Sequence, residues 1–285
     1  MQYYNRKTAR IEEEAESMQG SLHFLYDTAL GRFCLKTVVA RPWLSKVYGK
    51  YQKSRFSRRK IRSFVAKNNV DVSDWDVDSF RSFNDFFTRK KPLSPDLEDP
   101  SDLLSIADSK MRIFPITEDL VLNVKRSRYT VGEILGDEAL AEQFRGGTCI
   151  VFRLAVDDYH RYHFIDKGRL ISNKKIKGVL HTVRAVSEKF NVFSRNAREV
   201  SLLETENLGN VAQIEVGALF VGKIVNHPER EFDKMQEKGY FEFGGSTVVV
   251  LLNKEIEFDP DIVEMNAKDL EIKVRAGERI GKICQ

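Results

Sequence analysis

Cysteines are few in this chain, and long apolar runs are missing. The three cysteines, Cys34, Cys149 and Cys284, are scattered over 285 residues. An odd number at wide spacing gives neither a disulfide framework nor a metal-binding pair, so the sequence predicts a reducing compartment. No stretch approaches the roughly 18 consecutive apolar residues of a transmembrane helix. The polar, acidic N-terminus predicts no secretory signal.

Acidic residues are missing from one long segment. Between Arg41 and Lys67 there are ten Lys or Arg and no Asp or Glu, although the net charge of the whole chain is only +4. Such a block attracts phosphates, whether of nucleic acid or of an anionic membrane surface. Within this block, KYQKSRFSRRKIRSFVAK at residues 50–67, with Phe56 and Ile61 among its apolar residues, predicts a basic amphipathic helix. That helix either packs on a domain with its basic face solvated or anchors the protein at a membrane interface.

Prolines are also few, and three of the seven lie within nine residues, in KKPLSPDLEDPSD. This composition predicts an extended linker at residues 92–103. Residues 1–91 are predicted to form a helical, basic, membrane-associating region, and residues 104–285 a β-rich catalytic domain. The fold class is therefore α+β. The strand signals are GTCIVFRLAV, VSLLET, VAQIEVGALFVGKIV, STVVVLL and LEIKVRAG, with ENLGN as a hairpin turn.

Just before the linker, VDSFRSFNDFFTRKK carries four phenylalanines at helical spacing. Asp78 or Ser79 is a possible cap for this helix. Core packing is the favoured role of the four rings.

Two glycines precede five consecutive aliphatic residues in FEFGGSTVVVLLN. The run Val248 to Leu252 predicts a buried strand. Gly244 and Gly245 are unfavourable there unless the backbone must bend or be approached closely. The pattern indicates either a bulge or turn into a strand, or a site where the Ser246 hydroxyl does chemistry.

Three further side chains could act with that hydroxyl. Asp108 follows a short apolar run in SIADSKM, and His160 and His163 lie three apart in LAVDDYHRYHFIDKG. An aspartate, a histidine and a serine far apart in sequence can form a nucleophilic triad in space. GGST is not G-x-S-x-G, which argues against the nucleophile elbow of the α/β-hydrolases. HRYH is not H-E-x-x-H, so a zinc site is disfavoured.

Taken together, the motifs resemble those of the phosphatidylserine decarboxylase family. Six segments carry the resemblance and occur in the family's order. They are FNDFFTRKKP, SIADSKM, DYHRYH, FSRNARE, VGALFVGKI and YFEFGGSTVVVLL. The resemblance runs from about residue 75 to the C-terminus. The N-terminal third is similar only in being helical, basic and amphipathic.

The resemblance implies a self-made cofactor. The chain would be cleaved between Gly245 and Ser246 into a large and a small chain, and Ser246 would become a pyruvoyl group, with neither pyridoxal phosphate nor a metal. His163 would be the general base for this step, oriented by Asp108. His160 would assist decarboxylation or protonation, with His163 as the alternative for that task. A glycine before the serine leaves the attacked carbonyl unshielded.

The resemblance also implies a substrate and a location. Phosphatidylserine would form a Schiff base with the pyruvoyl ketone and leave as phosphatidylethanolamine and CO2. Asn196 and Arg198 would contact the substrate phosphate or carboxylate, or else lie on a surface hairpin. The enzyme would be a homodimer, peripheral on the cytoplasmic face of an anionic bacterial membrane, with no nucleic-acid partner.

The chain departs from the family pattern at two positions. Gly244 stands where leucine is common, and Ser109 follows the aspartate where glycine is common. Three alternatives therefore stay open. They are a related pyruvoyl decarboxylase of a soluble amino acid, a non-enzymatic basic module that binds lipid or nucleic acid, and a serine hydrolase that uses an intact Ser246.

Overall fold

In a computed structural model, four of the eight helices in the described part of the chain precede residue 90, and sixteen of its eighteen strands follow it. The residues described are 2–14, 28–34, 42–68, 70–124, 127–180, 192–218, 223–244 and 246–284. The helices are Ala29–Cys34, Pro42–Gln52, Ile61–Asn68, Phe83–Phe87, Val131–Leu135, Glu138–Ala141, Val192–Arg195 and Pro260–Ala267, and the 3-10 turns are Arg55–Lys60, Val77–Ser79 and Glu142–Phe144. The α+β prediction is confirmed.

The strands form one large sheet and three small ones among the described residues. They are β1 Gln2–Asn5, β2 Arg10–Glu13, β3 Asp102–Leu104, β4 Ser109–Pro115, β5 Val121–Val124, β6 Ser127–Thr130, β7 Thr148–Leu154, β8 Arg161–His163, β9 Gly168–Ile176, β10 Arg198–Thr205, β11 Gly209–Val216, β12 Ile224–Asn226, β13 Glu231–Phe232, β14 Glu237–Phe241, β15 Ser246–Leu252, β16 Ile256–Phe258, β17 Glu271–Val274 and β18 Arg279–Ile283. The large sheet has the order β13-β9-β10-β11-β15-β7-β4-β17-β1-β2.

From Val248 to Leu252, the strand β15 is apolar because both faces of the sheet are covered. Successive side chains of a strand point to opposite faces. Val248 and Val250 enter one buried cluster, together with Phe152 of β7. Val249 and Leu251 enter a second cluster on the other side. A strand with two buried faces shows no polar alternation, which accounts for the uninterrupted run in the sequence.

The first residues of the chain also belong to the large sheet. β1 pairs in parallel with β17, and β2 pairs antiparallel with β1. Arg6 in the turn between them forms ion pairs with Asp259, Asp261 and Glu278. The prediction that residues 1–91 are helical is therefore wrong for residues 2–13. The domain division itself stays a prediction.

The helices Ile61–Asn68 and Phe83–Phe87, the helical layer, share a small core of their own. Phe83, Phe86 and Phe87 are buried there, with Ile61. The helix Phe83–Phe87 is capped by Ser82, whose hydroxyl accepts from the backbone of Asp85 at 3.1 Å. The predicted cap is wrong, because Asp78 and Ser79 lie in the preceding 3-10 turn Val77–Ser79. Core packing of the rings is confirmed.

Candidate active site

Three segments meet at one end of the large sheet. β4, β7 and β15 are consecutive neighbours and antiparallel. The start of β4, the end of β7 and the start of β15 therefore lie together. Asp108 directly precedes β4, the loop that carries His160 follows Leu154 of β7, and Ser246 opens β15 opposite Leu154. The topology thus gathers residues that are far apart in the sequence.

Ser246 is a buried nucleophile candidate. Its side chain is fully buried, and its Oγ makes no hydrogen bond to any described residue. Buried hydroxyls are nearly always paired, so the Ser246 hydroxyl is an exception, as is that of the adjacent Thr247. Gly244 has φ +138°, a conformation that residues with a side chain rarely adopt. Gly245 lies outside the described residues.

His160 is held in one orientation beside this segment. Its Nδ1 donates to the carbonyl oxygen of Asp158 at 2.9 Å, and its own carbonyl accepts from the backbone of Phe241 at 3.0 Å. Burial lowers the pKa of His160 to about 4, against the effect of the Asp158 and Gly244 backbones, which raise it. The imidazole is therefore neutral near pH 7, with its acceptor nitrogen at Nε2.

His163 ends β8 and is also buried. Its Nδ1 and its backbone N–H both lie 3.0 Å from the carbonyl oxygen of Ile106. Burial lowers the pKa of His163, whereas the charges of Glu237 and Asp108 raise it. Asp108 therefore acts on the pKa of this imidazole through its charge, while the carbonyl of Ile106 holds Nδ1.

The carboxylate of Asp108 makes its direct contacts elsewhere. One oxygen accepts from Lys91 Nζ at 2.8 Å, and the other accepts from the backbone N–H of Ala276 at 2.8 Å. The role of Asp108 in orienting His163 therefore stays a prediction, because the hydrogen bonds of its carboxylate go to Lys91 and Ala276. Lys91 was not singled out from the sequence, where it is one of three consecutive basic residues.

A buried lysine supports the loop that carries His160. Lys110 of β4 is 2% exposed, and its Nζ lies 3.9 Å from Asp158 and 3.5 Å from Glu14. Asp158 also accepts from the backbone of Ala155 at 2.7 Å. Burial raises the pKa of Asp158 to about 6, although the charge of Lys110 lowers it. This cluster fixes the backbone carbonyl that orients His160.

The two predicted substrate contacts are used within the chain. Asn196 Nδ2 donates to the carbonyl of Gly217 at 2.7 Å. Arg198 is buried, and its guanidinium donates to the carbonyls of Ile134 at 2.7 Å and Glu133 at 2.6 Å. Arg198 opens β10, which is separated from β15 by β11. Substrate contact by either residue stays a prediction.

Aromatic rings wall the site on the helical side. Phe87 packs on the imidazole of His160, and Phe243 packs on Phe83, Phe87 and Tyr48 at ring-centre distances of 5.0 to 5.7 Å. The sequence pattern predicted a core role for the helical rings and no role at the site. The FNDFF segment adjoining RKK was the available signal, but nothing in it indicated which strand it would contact.

Comparison with known proteins identifies the family of the chain. The sequence model of the family described as phosphatidylserine decarboxylase matches residues 83–282, more than two thirds of the chain. The chain belongs to the phosphatidylserine decarboxylase family. It is therefore a decarboxylase, a carboxy-lyase, as the motifs predicted. The matched span includes Asp108, His160, His163 and Ser246.

Relatives match along nearly the whole length. Phosphatidylserine decarboxylase proenzyme 2 of Clostridium acetobutylicum is 46% identical over 283 residues, which cover 98% of this chain and 97% of that protein. Phosphatidylserine decarboxylase proenzymes of Clostridium tetani and Ruminiclostridium cellulolyticum are 40% and 39% identical, and each alignment covers 99% of this chain. The alignments with these two cover 98% and 97% of the relatives.

Proposed function

We propose that the chain converts phosphatidylserine to phosphatidylethanolamine and CO2, using a pyruvoyl group that it makes by cleaving itself between Gly245 and Ser246. The observation that carries this proposal is the buried Ser246 hydroxyl, which no described residue engages. Ser246 opens β15 opposite Leu154, where the loop with His160 begins, and burial lowers the pKa values of His160 and His163. The relatives' names, which call them proenzymes, support a processed chain.

The first stage is an acyl shift at the start of β15. Ser246 Oγ attacks the carbonyl carbon of Gly245 and gives up its proton to a base, for which His163 is proposed. The peptide C–N bond breaks, leaving an ester and the amino group of residue 246. Loss of the α-proton then breaks the Cβ–Oγ bond. This step releases a carboxylate at Gly245 and leaves a dehydroalanine, which one water converts to the pyruvoyl group and ammonia.

The residues of the site fit such a group. A pyruvoyl carbonyl supplies an electron sink for decarboxylation of an amine-bearing substrate. The fully buried position of residue 246 keeps bulk water away from that carbonyl. His160, neutral and held by Asp158, offers Nε2 for taking up or delivering a proton. Asp108 is proposed to support the base His163 during self-cleavage.

An intact-mass measurement with matched hydroxyl variants tests this proposal. The native chain should give two fragments divided at Gly245–Ser246, the smaller lighter by one ammonia than its serine-started sequence. Ser246→Ala should stay uncut and inactive. Thr247→Ala is the matched control, because Thr247 is also buried with an unengaged hydroxyl, and it should still be cut. An uncut native chain whose Ser246 reacts with a hydroxyl-directed probe would support the hydrolase instead.

Substrate choice is tested separately on the cleaved enzyme. Release of CO2 from phosphatidylserine in vesicles, without release from free amino acids, is the expected result. The opposite preference would favour the related decarboxylase of a soluble amino acid. A chain that is cut but releases CO2 from neither would contradict the substrate while leaving the cofactor in place.

We further propose that the helical region docks peripherally on an anionic membrane, at the cytoplasmic face. None of the helices in the described ranges combines the length and the apolar character needed to cross a bilayer. Phe33 and Phe56 are 66% and 75% exposed, and Leu30 and Val47 are exposed as well. Exposed basic residues flank them, among them Lys50, Lys53, Arg55, Arg58 and Arg59. Aromatic and aliphatic groups beside cations suit an interface of anionic lipid.

Vesicle co-sedimentation tests this docking surface. The uncut Ser246→Ala chain should bind vesicles of phosphatidylglycerol and phosphatidylcholine more strongly than phosphatidylcholine alone. Phe56→Ser should weaken that binding. Val263→Ser is the control, because Val263 is an exposed apolar residue on the separate helix Pro260–Ala267. Equal loss in both variants would contradict the assignment. The homodimer also remains a proposal, which sedimentation velocity can test.

A further inference from the structure

Lys91 joins the helical region to the site. It directly precedes Pro92, where the predicted linker begins. Its ammonium lies 2.8 Å from Asp108 Oδ2 and 4.7 Å from the ring centre of Tyr159. Its backbone N–H donates to the Tyr159 hydroxyl at 3.1 Å. These three contacts fix both ends of the lysine, so its charge has a defined place.

The carboxylate of Asp108 is held from two sides. Lys91 engages Oδ2, and the backbone N–H of Ala276, just after β17, engages Oδ1. Only about one fifth of each side chain in the Lys91–Asp108 pair is exposed, so water screens this pair less than a surface pair. Two residues before Asp108, the carbonyl of Ile106 accepts from His163 Nδ1. One short loop therefore carries two of the groups that act on this imidazole.

We propose that Lys91 is a positioning residue for self-cleavage, which fixes the Asp108 carboxylate and balances its charge so that His163 stays an unprotonated base. This inference rests on the proposed function. In ion pairs of this kind, an ammonium reduces the field that the carboxylate exerts on a third group. A lysine at this point would therefore limit how strongly Asp108 favours the imidazolium form of His163.

The charged groups that act on His163 come from three elements. Glu237 of β14 and Asp108, which precedes β4, both raise the pKa of His163, whereas Lys91 lowers it in the same direction as burial. From β11, Gln213 contributes a neutral amide that donates to the His163 carbonyl at 3.0 Å. Removing the Lys91 charge leaves the Asp108 carboxylate without its cation, whereas Glu237 keeps its ion pair with Arg161 at 2.6 Å. The imidazole should then hold its proton to a higher pH, and a protonated imidazole cannot act as the base.

The experiment follows self-cleavage of the full-length chain made by cell-free synthesis, as a function of pH. Cleavage is scored by the masses of the two fragments. Lys91→Met removes the charge and keeps the length, while Lys91→Arg keeps the charge. Lys90→Met is the matched control, because Lys90 is the adjacent and exposed lysine. Thermal unfolding of each variant, in the Ser246→Ala background, checks that it is folded.

Lys91→Met should move the midpoint of the acid limb of the pH–rate profile to higher pH. Cleavage below the midpoint should slow several-fold, and the rates should converge with the native rate well above it. Lys91→Arg and Lys90→Met should keep the native midpoint. Lys91→Gln is a second charge-removing variant, and it should move the midpoint as Lys91→Met does.

Two results would overturn the inference, and only the second would also overturn the proposed function. A slowing by Lys91→Met that is equal at every pH, with the native midpoint, would show a structural role only, while native self-cleavage still supported the proposed function. A native chain that never cleaves at Gly245–Ser246 would remove the proposed function together with this inference.

Discussion

The Phe87 ring lies 4.0 Å from the imidazole of His160, measured between ring centres. Phe87 belongs to the helical layer, and His160 belongs to the loop after β7. The contact excludes water from one side of the imidazole, and burial is the largest cause of the lowered pKa of His160. The helical region therefore helps to set the protonation state of a candidate catalytic group.

Replacing Phe87 should make His160 more basic. Phe87→Leu leaves part of the space beside the imidazole open to water, so the pKa of His160 should rise from about 4 toward its ordinary value. Histidine NMR titration of the uncut Ser246→Ala chain measures this change. Phe86→Leu is the control, because Phe86 is equally buried and packs on Phe80 and Phe83. An equal pKa change in both variants would contradict a local effect.

Acid should destabilise the chain through the same histidine. His160 titrates near 6.5 when unfolded and near 4 when folded, so the unfolded chain binds more protons between these values. Stability from this group is complete above about pH 6.5 and is lost as pH falls toward 4, by about 3 kcal/mol in all. Denaturant unfolding across this range, in the uncut Ser246→Ala chain, measures the loss. His160→Gln should flatten that part of the curve, and an unchanged slope would contradict the assignment.

Local patterns predicted the elements of the sheet well. β7, β10, β11, β15 and β17 lie where β-branched runs predicted them. The hairpin turn between β10 and β11 falls at ENLGN, with Gly209 at φ +66°. Such signals are local, because they depend on the spacing of apolar side chains and on residues that tolerate positive φ.

Long-range pairing accounts for what the sequence could not predict. β1 carries a weak strand pattern, and it is a strand because β17 accepts it as a parallel neighbour. The family motifs gave Asp108, His160, His163 and Ser246. Phe87 and Lys91 lie in the motif FNDFFTRKKP, but the motif did not indicate their roles, because these depend on contacts with His160 and Asp108.

Arg198 is expected to contribute mainly to the stability of the fold. Its guanidinium donates to backbone carbonyls at the end of the helix Val131–Leu135 and at Ser194. Arg198→Lys cannot reproduce this fork, so unfolding free energy should fall by about 2 to 4 kcal/mol. Denaturant midpoints and KM are measured together on the cleaved enzyme. A raised KM at unchanged stability would favour the substrate contact that the sequence predicted.

A buried ion pair lies beside β15. Lys238 Nζ lies 2.9 Å from Glu215 Oε1, and the two side chains are 3% and 0% exposed. Asn226 completes the network by donating to Glu215 at 3.0 Å. Glu215 directly opposes Val248 in the strand that Ser246 opens.

Lys238→Met should lower the free energy of unfolding by about 3 to 5 kcal/mol, because it leaves a buried carboxylate without its cation. Adding Glu215→Gln should restore part of that loss, because an amide needs no counter-charge. Urea unfolding of the uncut Ser246→Ala chain compares the single and double variants at constant m-value. If the loss of unfolding free energy in the double variant equalled the sum of the losses in the two single variants, the two side chains would not be coupled. The network would then only fill space beneath β15.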